Sequence, residues 1–317
     1  MATEPREVIF RNYTTEEGKH YANFRPTYHE NLYKLVIDHH SSTGGQFDTI
    51  VDLGCGPGGT VRELAPKFQH AFGLDPSEGM INTAKSLGGS TATGEPIRFE
   101  MSTAEEIGSS QLLSPHAMAM AIPDASVDLI VASTAAHWFE LERFWPRAAA
   151  VLKPGGTVAF WGSNSNYAHP SMPDHEAVTA VLHRYDEHYL RPHYQKGNFA
   201  ASDLYRNFTY PWDMDPTLPE FDRESFFRKE WDPNAWESDF IIQPPASLDT
   251  MEKVLATVSP VQRWREAHPD LAGTDKDVVK MLRRDIENIL HEAGVEKGKE
   301  TLKAGIAGVL VMAKKKL

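Results

Sequence analysis

Between positions 48 and 162 short apolar runs alternate with segments of helical character, and this alternation constrains the fold more than any other feature of the chain. Strand, helix and strand in succession imply parallel strands joined by crossover helices, because a parallel pair cannot be closed by a tight turn. The pattern predicts strands at 48–53, 70–74, 97–101, 127–133 and 157–162, with helices at 59–67, 77–86 and 141–152. The last helix ends at "KPGG", where Pro154 and Gly155 stop it and turn the chain back into the sheet. Residues 108–124, rich in Ser, Ala, Met and Pro and without a clear period, read as a loop insertion. An α/β, Rossmann-like sheet with helices on both faces is the expected core.

After Gly162 the alternation breaks. Residues 164–249 carry many Pro, His and aromatic residues and suit a surface cap of the kind that shapes a substrate site. Helices at 248–258 and 275–291 come next, then "GIAGVLVMAKK", 305–315, a final strand rich in β-formers. The chain has 317 residues, of which 41% are hydrophobic and 24% charged, ordinary for a soluble globular protein. There is no apolar run of membrane-spanning length, and the N-terminus is polar and acidic rather than signal-like, so a cytoplasmic protein is expected.

The single cysteine, Cys55, allows neither an internal disulfide nor a cysteine-based zinc site. His183, His188 and His193 are five residues apart, which does not put imidazoles on one helical face, and no metal is expected. A net charge of −12 argues against nucleic acid as a partner, since affinity for phosphates depends on clustered Lys and Arg. The lysine run 314–316 is read as a solvated end. No membrane partner is expected, and the oligomeric state is unknown.

The turn "VDLGCGPGGT" decides what the core binds. Gly54, Gly56 and Gly59 fit the G-x-G-x-x-G fingerprint, which admits either a dinucleotide or a nucleoside. The flanks separate the two. Asp52, two residues before the first glycine, would repel a pyrophosphate and suits a ligand with an ammonium group; a turn or capping aspartate is the alternative. Asp75 closes the strand "HAFGLD" 23 residues beyond Asp52, where a carboxylate can accept both hydroxyls of an unphosphorylated ribose. A helix N-cap is the competing role for Asp75.

The chain resembles class I S-adenosylmethionine-dependent methyltransferases. "VDLGCGPGGT" is similar to their first motif, "GLDPSEGMINTAK" to the ribose strand and following helix, and "FEMSTAEEI" to the adenine-edge segment. "IPDASVDLIVAS" and "LKPGGTVAFWG" resemble the fourth strand and the post-helix turn with the fifth. Three further elements resemble the fungal trans-aconitate methyltransferase family: Tyr21-x-x-x-Arg25-Pro26-x-Tyr28, "AAHWFELERFWP", and "VQRWREAHPD" with the acidic-basic helix and last strand after it. Related enzymes methylate other small carboxylic acids and reduced dithiols in fungal secondary metabolism. Between 164 and 244 the resemblance is thin.

The resemblance implies a seven-stranded methyltransferase sheet with a substrate-cap insertion. It divides the chain into a helical lid (1–45), an S-adenosylmethionine-binding core (46–162), and a cap with the C-terminal helices and last strands (163–317). Asp52 and the backbone of Gly54, Gly56 and Pro57 would surround the methionine portion, and Asp75 would take the ribose. Met80 would cover the adenine, with Thr103, Ala104 and Glu105 at its edge, more through backbone than through the Glu105 side chain. Ser133 would meet the methionine end through its main chain.

Tyr21 and Arg25, four apart on a helix, would face the cofactor, with Arg25 pairing the methionine carboxylate; core packing and a helix-end ion pair are the alternatives. His137 and Trp138 come after the fourth strand, at the mouth where donor and acceptor meet, and are the candidate catalytic pair; both could equally be structural. In the cap Arg184, Arg191, His193, Tyr194, Arg206 and Trp212 could bind an anionic acceptor, although Asp186, Glu187, Asp213 and Asp215 in the same segment weaken the charge argument. The activity implied is methyl transfer from S-adenosylmethionine to a small-molecule carboxylate or thiol. The competing function is a regulatory protein that keeps the fold and acts through partners.

Overall fold

The computed structural model describes residues 10–24, 27–108, 122–242 and 244–317. Arg25, Pro26 and most of the 108–124 segment lie outside the described residues. The central sheet is built from β1 (Thr49–Leu53), β2 (His70–Asp75), β3 (Arg98–Met101), β4 (Val127–Ser133), β5 (Leu152–Ala168), β6 (Phe221–Trp231) and β7 (Ala304–Lys315), in the order β3-β2-β1-β4-β5-β7-β6. The first five strands are parallel and adopt the doubly wound order 3-2-1-4-5, while β7 runs antiparallel to both β5 and β6.

Period-two alternation divides the sheet's side chains between two cores. Val51, Leu53, Ile130, Ala132, Val158 and Phe160 point to one face, packed with Phe144 and Trp145 of α5 (Leu141–Val151). Ile50, Leu129, Val131, Ala159 and Trp161 point to the other, against Leu32, Tyr33 and Val36 of α2 (Glu30–Ser42) and Val61 of α3 (Gly59–Leu64). Burial on both faces is why these strands read as continuous apolar runs. In the N-terminal segment α1 (Thr15–Phe24) packs on α4 (Glu78–Leu87), with Thr83 Oγ1 donating to the Thr15 carbonyl at 3.3 Å.

The predicted helix at 59–67 ends earlier, at Leu64, and continues as a tighter turn, Ala65–Lys67, that contains Pro66. The final strand and the helix before it stand close to their predicted places. Two expectations change. Residues 164–249 are not all cap: β5 continues to Ala168, and β6 is the outer strand of the main sheet. β6 hides in the sequence as "FDRESFFRKEW" because an edge strand carries charges rather than an apolar run.

The lysine run is not a solvated end. Lys314 is buried in β7, and Lys315 Nζ donates to the carbonyls of Ala149 and Leu152 at 2.6 and 2.7 Å, where α5 ends. Cations are favoured at a helix C-terminus, whose last carbonyls have no partner within the helix.

Helices beyond the sheet form a second core, while Tyr205, Phe208 and Tyr210 pack into the sheet core. Val178 and Val181 of α6 (His175–Tyr185) pack with Leu248 and Met251 of α8 (Leu248–Leu255), Trp264 of α9 (Ser259–Ala267) and Ile286 of α10 (Val278–Glu292). Between α6 and α8 lies the short α7 (Lys196–Ser202). Among the described residues no helix is long and apolar enough to cross a membrane.

Candidate active site

Strand order reverses at β1, since the chain leaves it toward β2 on one side and β4 lies on the other. Such a point opens a crevice at the carboxyl ends of the strands. A cavity of about 320 Å³ lies there. Its floor is the glycine turn after β1, held down by Cys55 N–H donating to the Leu74 carbonyl at 3.0 Å. Gly54 has φ +64°, and a Cβ on it would stand 2.5 Å from the Ala135 Cβ, so both backbone and space demand glycine.

The cavity gathers most of the predicted residues. Gly54, Gly56, Asp75, Met80, Thr103, Ala104, Glu105 and Ser133 line it, with Tyr21, His137 and Trp138. Pro57 and Asp52 do not. Asp52 lies within β1, completely buried, and neither carboxylate oxygen has a hydrogen-bond partner. Burial, and then the Asp75 charge, push its carboxyl well above the ordinary range, against weaker opposing effects of the Val61 amide and Arg62.

Asp75 is nearly buried at the end of β2. Its Oδ2 accepts the Gly56 N–H at 2.8 Å and its Oδ1 the Ser77 N–H at 2.9 Å. It does not cap a helix: Ser77 is the N-cap of α4, its hydroxyl accepting the Met80 N–H at 3.3 Å. Each Asp75 oxygen can accept a further hydrogen bond, and the residue borders the cavity. Burial raises its pKa, partly offset by the Ser77 and Gly56 N–H groups and by the charge of Arg11. The Glu105 carboxylate accepts the Glu140 N–H at 2.8 Å and so ties two wall segments together.

On the opposite wall, β4 ends at Ser133 and Thr134. Thr134 has φ +51°, and its N–H donates to the Trp161 carbonyl at 2.8 Å. The Tyr28 and Thr134 hydroxyls are hydrogen-bonded at 2.5 Å. The short turn Ala136–Trp138 then presents His137 and Trp138. His137 Nδ1 lies 3.2 Å from the hydroxyl of Tyr205, a fully buried residue whose pKa burial drives far up, so that it stays a phenol. A Cβ on Gly197 would stand 2.4 Å from the Trp138 ring, which is how α7 closes on the turn.

Several wall residues were not anticipated. Arg11 enters from a turn ahead of α1, Ser163, Asn164 and Asn166 from the extension of β5, and Asn198 and Ser259 from α7 and α9. The alternate asparagines of "SNSN" carried a strand signal that could have revealed them; nothing local singles out Arg11. Of the cap residues expected to meet an anionic acceptor, only Tyr194 lines the cavity. Arg184 pairs with Asp285, Arg191 with Glu187 and Arg206 with Glu230, so those cations are engaged elsewhere.

Residues 51–160 match the family described as "Methyltransferase domain". Residues 51–160 are thus similar to a methyltransferase domain. The match runs from β1 to β5, the part that builds the glycine turn, Asp75 and the His137 turn, and S-adenosylmethionine is the cofactor of such domains. A probable S-adenosylmethionine-dependent methyltransferase of Saccharomyces cerevisiae is 30% identical over 169 residues, 53% of this chain and 52% of the relative. A trans-aconitate 2-methyltransferase of Variovorax paradoxus is 34% identical over 135 residues, 42% of this chain and 43% of the relative.

The chain thus spans about half the length of the curated relatives it matches first (52% and 46%). A solved structure from Anaeromyxobacter dehalogenans, described as a type II methyltransferase candidate, superposes with a TM-score of 0.58 at 20% identity, covering 92% of this chain and 98% of that one. That likeness establishes the methyltransferase fold.

Proposed function

We propose that the protein transfers a methyl group from S-adenosylmethionine to a small-molecule acceptor, and that the acceptor atom is a carboxylate oxygen. The observation that carries this reading is one cavity joining the glycine turn and Asp75 to the wall formed by Trp138, Asn166 and Asn198. The residues fit the donor. Asp75 has acceptor capacity left for two ribose hydroxyls, and the turn presents Gly54 and Gly56 to the cavity. Met80 and the turn at Thr103, Ala104 and Glu105 would border the adenine. Gly54, Gly56 and Ser133 would meet the amino-acid end by backbone, and Tyr21 would close over it.

S-adenosylmethionine supplies a methyl group on a sulfonium, a leaving group already activated by its charge. The chain's own residues therefore have to align the acceptor and exclude water. Trp138 would wall the acceptor pocket, and His137, held by Tyr205, would orient the acceptor through a hydrogen bond. A carboxylate is already ionised near neutral pH and needs no base, whereas a thiol with a pKa of about 8.5 must lose a proton. The similarity to a trans-aconitate 2-methyltransferase favours the carboxylate.

The test is transfer of labelled methyl groups to polycarboxylates and to reduced dithiols between pH 6 and 9. Esters formed at a nearly pH-independent rate support the reading. Thioethers formed at a rate that climbs with pH would replace it with S-methylation. Asp75→Ala should abolish S-adenosylhomocysteine binding by calorimetry, and unchanged binding would reject the donor site.

A further inference from the structure

Charge in the cavity wall is unevenly spent. Three carboxylates line it, and each has a partner. Asp75 accepts the Gly56 and Ser77 N–H groups, Glu105 accepts the Glu140 N–H, and Glu140 pairs with Arg143 at 3.1 Å. Arg11 is the one Arg or Lys among the described wall residues, and it has no hydrogen-bond or ion-pair partner among the described residues.

Its guanidinium is near enough to Asp75 to lower that carboxyl's pKa, yet no ion pair forms between them. Its planar fork matches a carboxylate in bidentate fashion, and no carboxylate of the described residues occupies it.

We propose that Arg11 is the carboxylate seat of this cavity, gripping the carboxylate of the cofactor's amino-acid end or that of the acceptor. The proposal rests on the S-adenosylmethionine reading above.

Calorimetry on the full chain tests it, comparing wild type with Arg11→Ala and Arg11→Lys. The probes are S-adenosylhomocysteine, 5′-methylthioadenosine (the same nucleoside without the amino-acid end), and tricarballylate added to protein loaded with S-adenosylhomocysteine. If the seat takes the cofactor, Arg11→Ala weakens S-adenosylhomocysteine tenfold or more, leaves methylthioadenosine within twofold, and Arg11→Lys recovers part of the loss. If it takes the acceptor, both nucleosides bind Arg11→Ala as they bind wild type, and tricarballylate binding falls tenfold or more. Equal loss of both nucleosides, or no change in any titration, overturns the seat. Failure of the wild type itself to bind S-adenosylhomocysteine would instead overturn the cofactor reading.

Discussion

The two walls of the cavity are built on different principles. The wall proposed for the donor is made of strand ends and the turns after them, and its key groups are backbone amides, a glycine turn and one carboxylate at the tip of β2. Every residue of β1 is buried, so this wall is positioned by the sheet itself. The wall proposed for the acceptor collects side chains from the extension of β5, from α7 and from the start of α9, elements nearly 100 residues apart, of which α9 belongs to the helical core and α7 packs through Ala200 on the sheet core. A wall of backbone specifies one ligand and tolerates little change; a wall of side chains from scattered elements can be altered residue by residue.

Two glycines give the largest expected contrast. Gly54→Val forces a side chain into Ala135 at a positive φ and should reduce S-adenosylhomocysteine affinity more than a hundredfold, while Gly197→Val pushes α7 off Trp138. The second change should abolish turnover and leave the cofactor's affinity within twofold. Equal effects of both on cofactor binding would show that the walls are not separable.

Next come the cores. Ile130 and Ile286 are both fully buried, and truncating either to alanine should cost about 2–5 kcal/mol. Hydrogen exchange should show Ile130→Ala lowering protection across the whole sheet, and Ile286→Ala confining the loss to α6, α8, α9 and α10. Loss spread evenly in both variants would merge the two regions into one cooperative unit.

Acid should also act on the regions in different windows. His40 lies under the sheet, with Nδ1 at 2.8 Å from the Thr157 hydroxyl and Nε2 at 2.8 Å from the Gln46 carbonyl. Burial, with the Lys314 charge adding to it and the Gln46 carbonyl and Asp128 opposing, lowers its pKa from the ordinary 6.5 to about 4. The unfolded chain then takes up a proton that the folded chain refuses, so stability falls as pH drops from about 6.5 to about 4, by up to about 3 kcal/mol.

In the cap, burial raises the Asp277 carboxyl, but a two-pronged pair with Arg265 and N–H bonds from Gly273 and Val279 outweigh it and hold the pKa low. The stability from Asp277 is present above its unfolded pKa and is lost as pH falls through the lower folded value, below the His40 window. Urea unfolding against pH should show the first slope abolished in His40→Gln and the second in Asp277→Asn. A wild type whose stability is flat from pH 6.5 to 4 would contradict the first.

The smallest effect sits where the walls touch. Tyr205→Phe removes one hydrogen bond from His137, worth about 1 kcal/mol. Turnover should fall roughly fivefold at constant S-adenosylhomocysteine affinity, and a change confined to cofactor affinity would move His137 to the donor side.

The sequence was legible where function and fold share a contiguous motif. Strands β1 to β4 stand close to their predicted places because doubly buried strands write themselves as apolar runs, whereas β5 begins earlier, at Leu152, and runs on to Ala168. Gly54, Asp75, Met80 and His137 were found because each lies at or just beyond the end of such a strand. Arg11, Asn166 and Asn198 were not, since only tertiary packing brings them to the cavity, and β6 was missed because its charged edge erases the alternation that marks a strand. The cap arginines misled for the opposite reason: cationic in the sequence, they are matched by carboxylates that lie far off along the chain, such as Asp285 and Glu230.

The antiparallel β7 has a consequence for the order in which the protein can be made. Among the described strands β6 pairs only with β7, and β5 gains its second neighbour only when β7 arrives. A chain emerging from the ribosome can close the glycine turn and both neighbours of β1 by residue 133, yet β6 must wait more than seventy residues for its partner. Over that interval β5 presents an unpaired flank, and a nascent chain paused before residue 304 would be able to grasp the donor while its sheet still stood open to any passing strand.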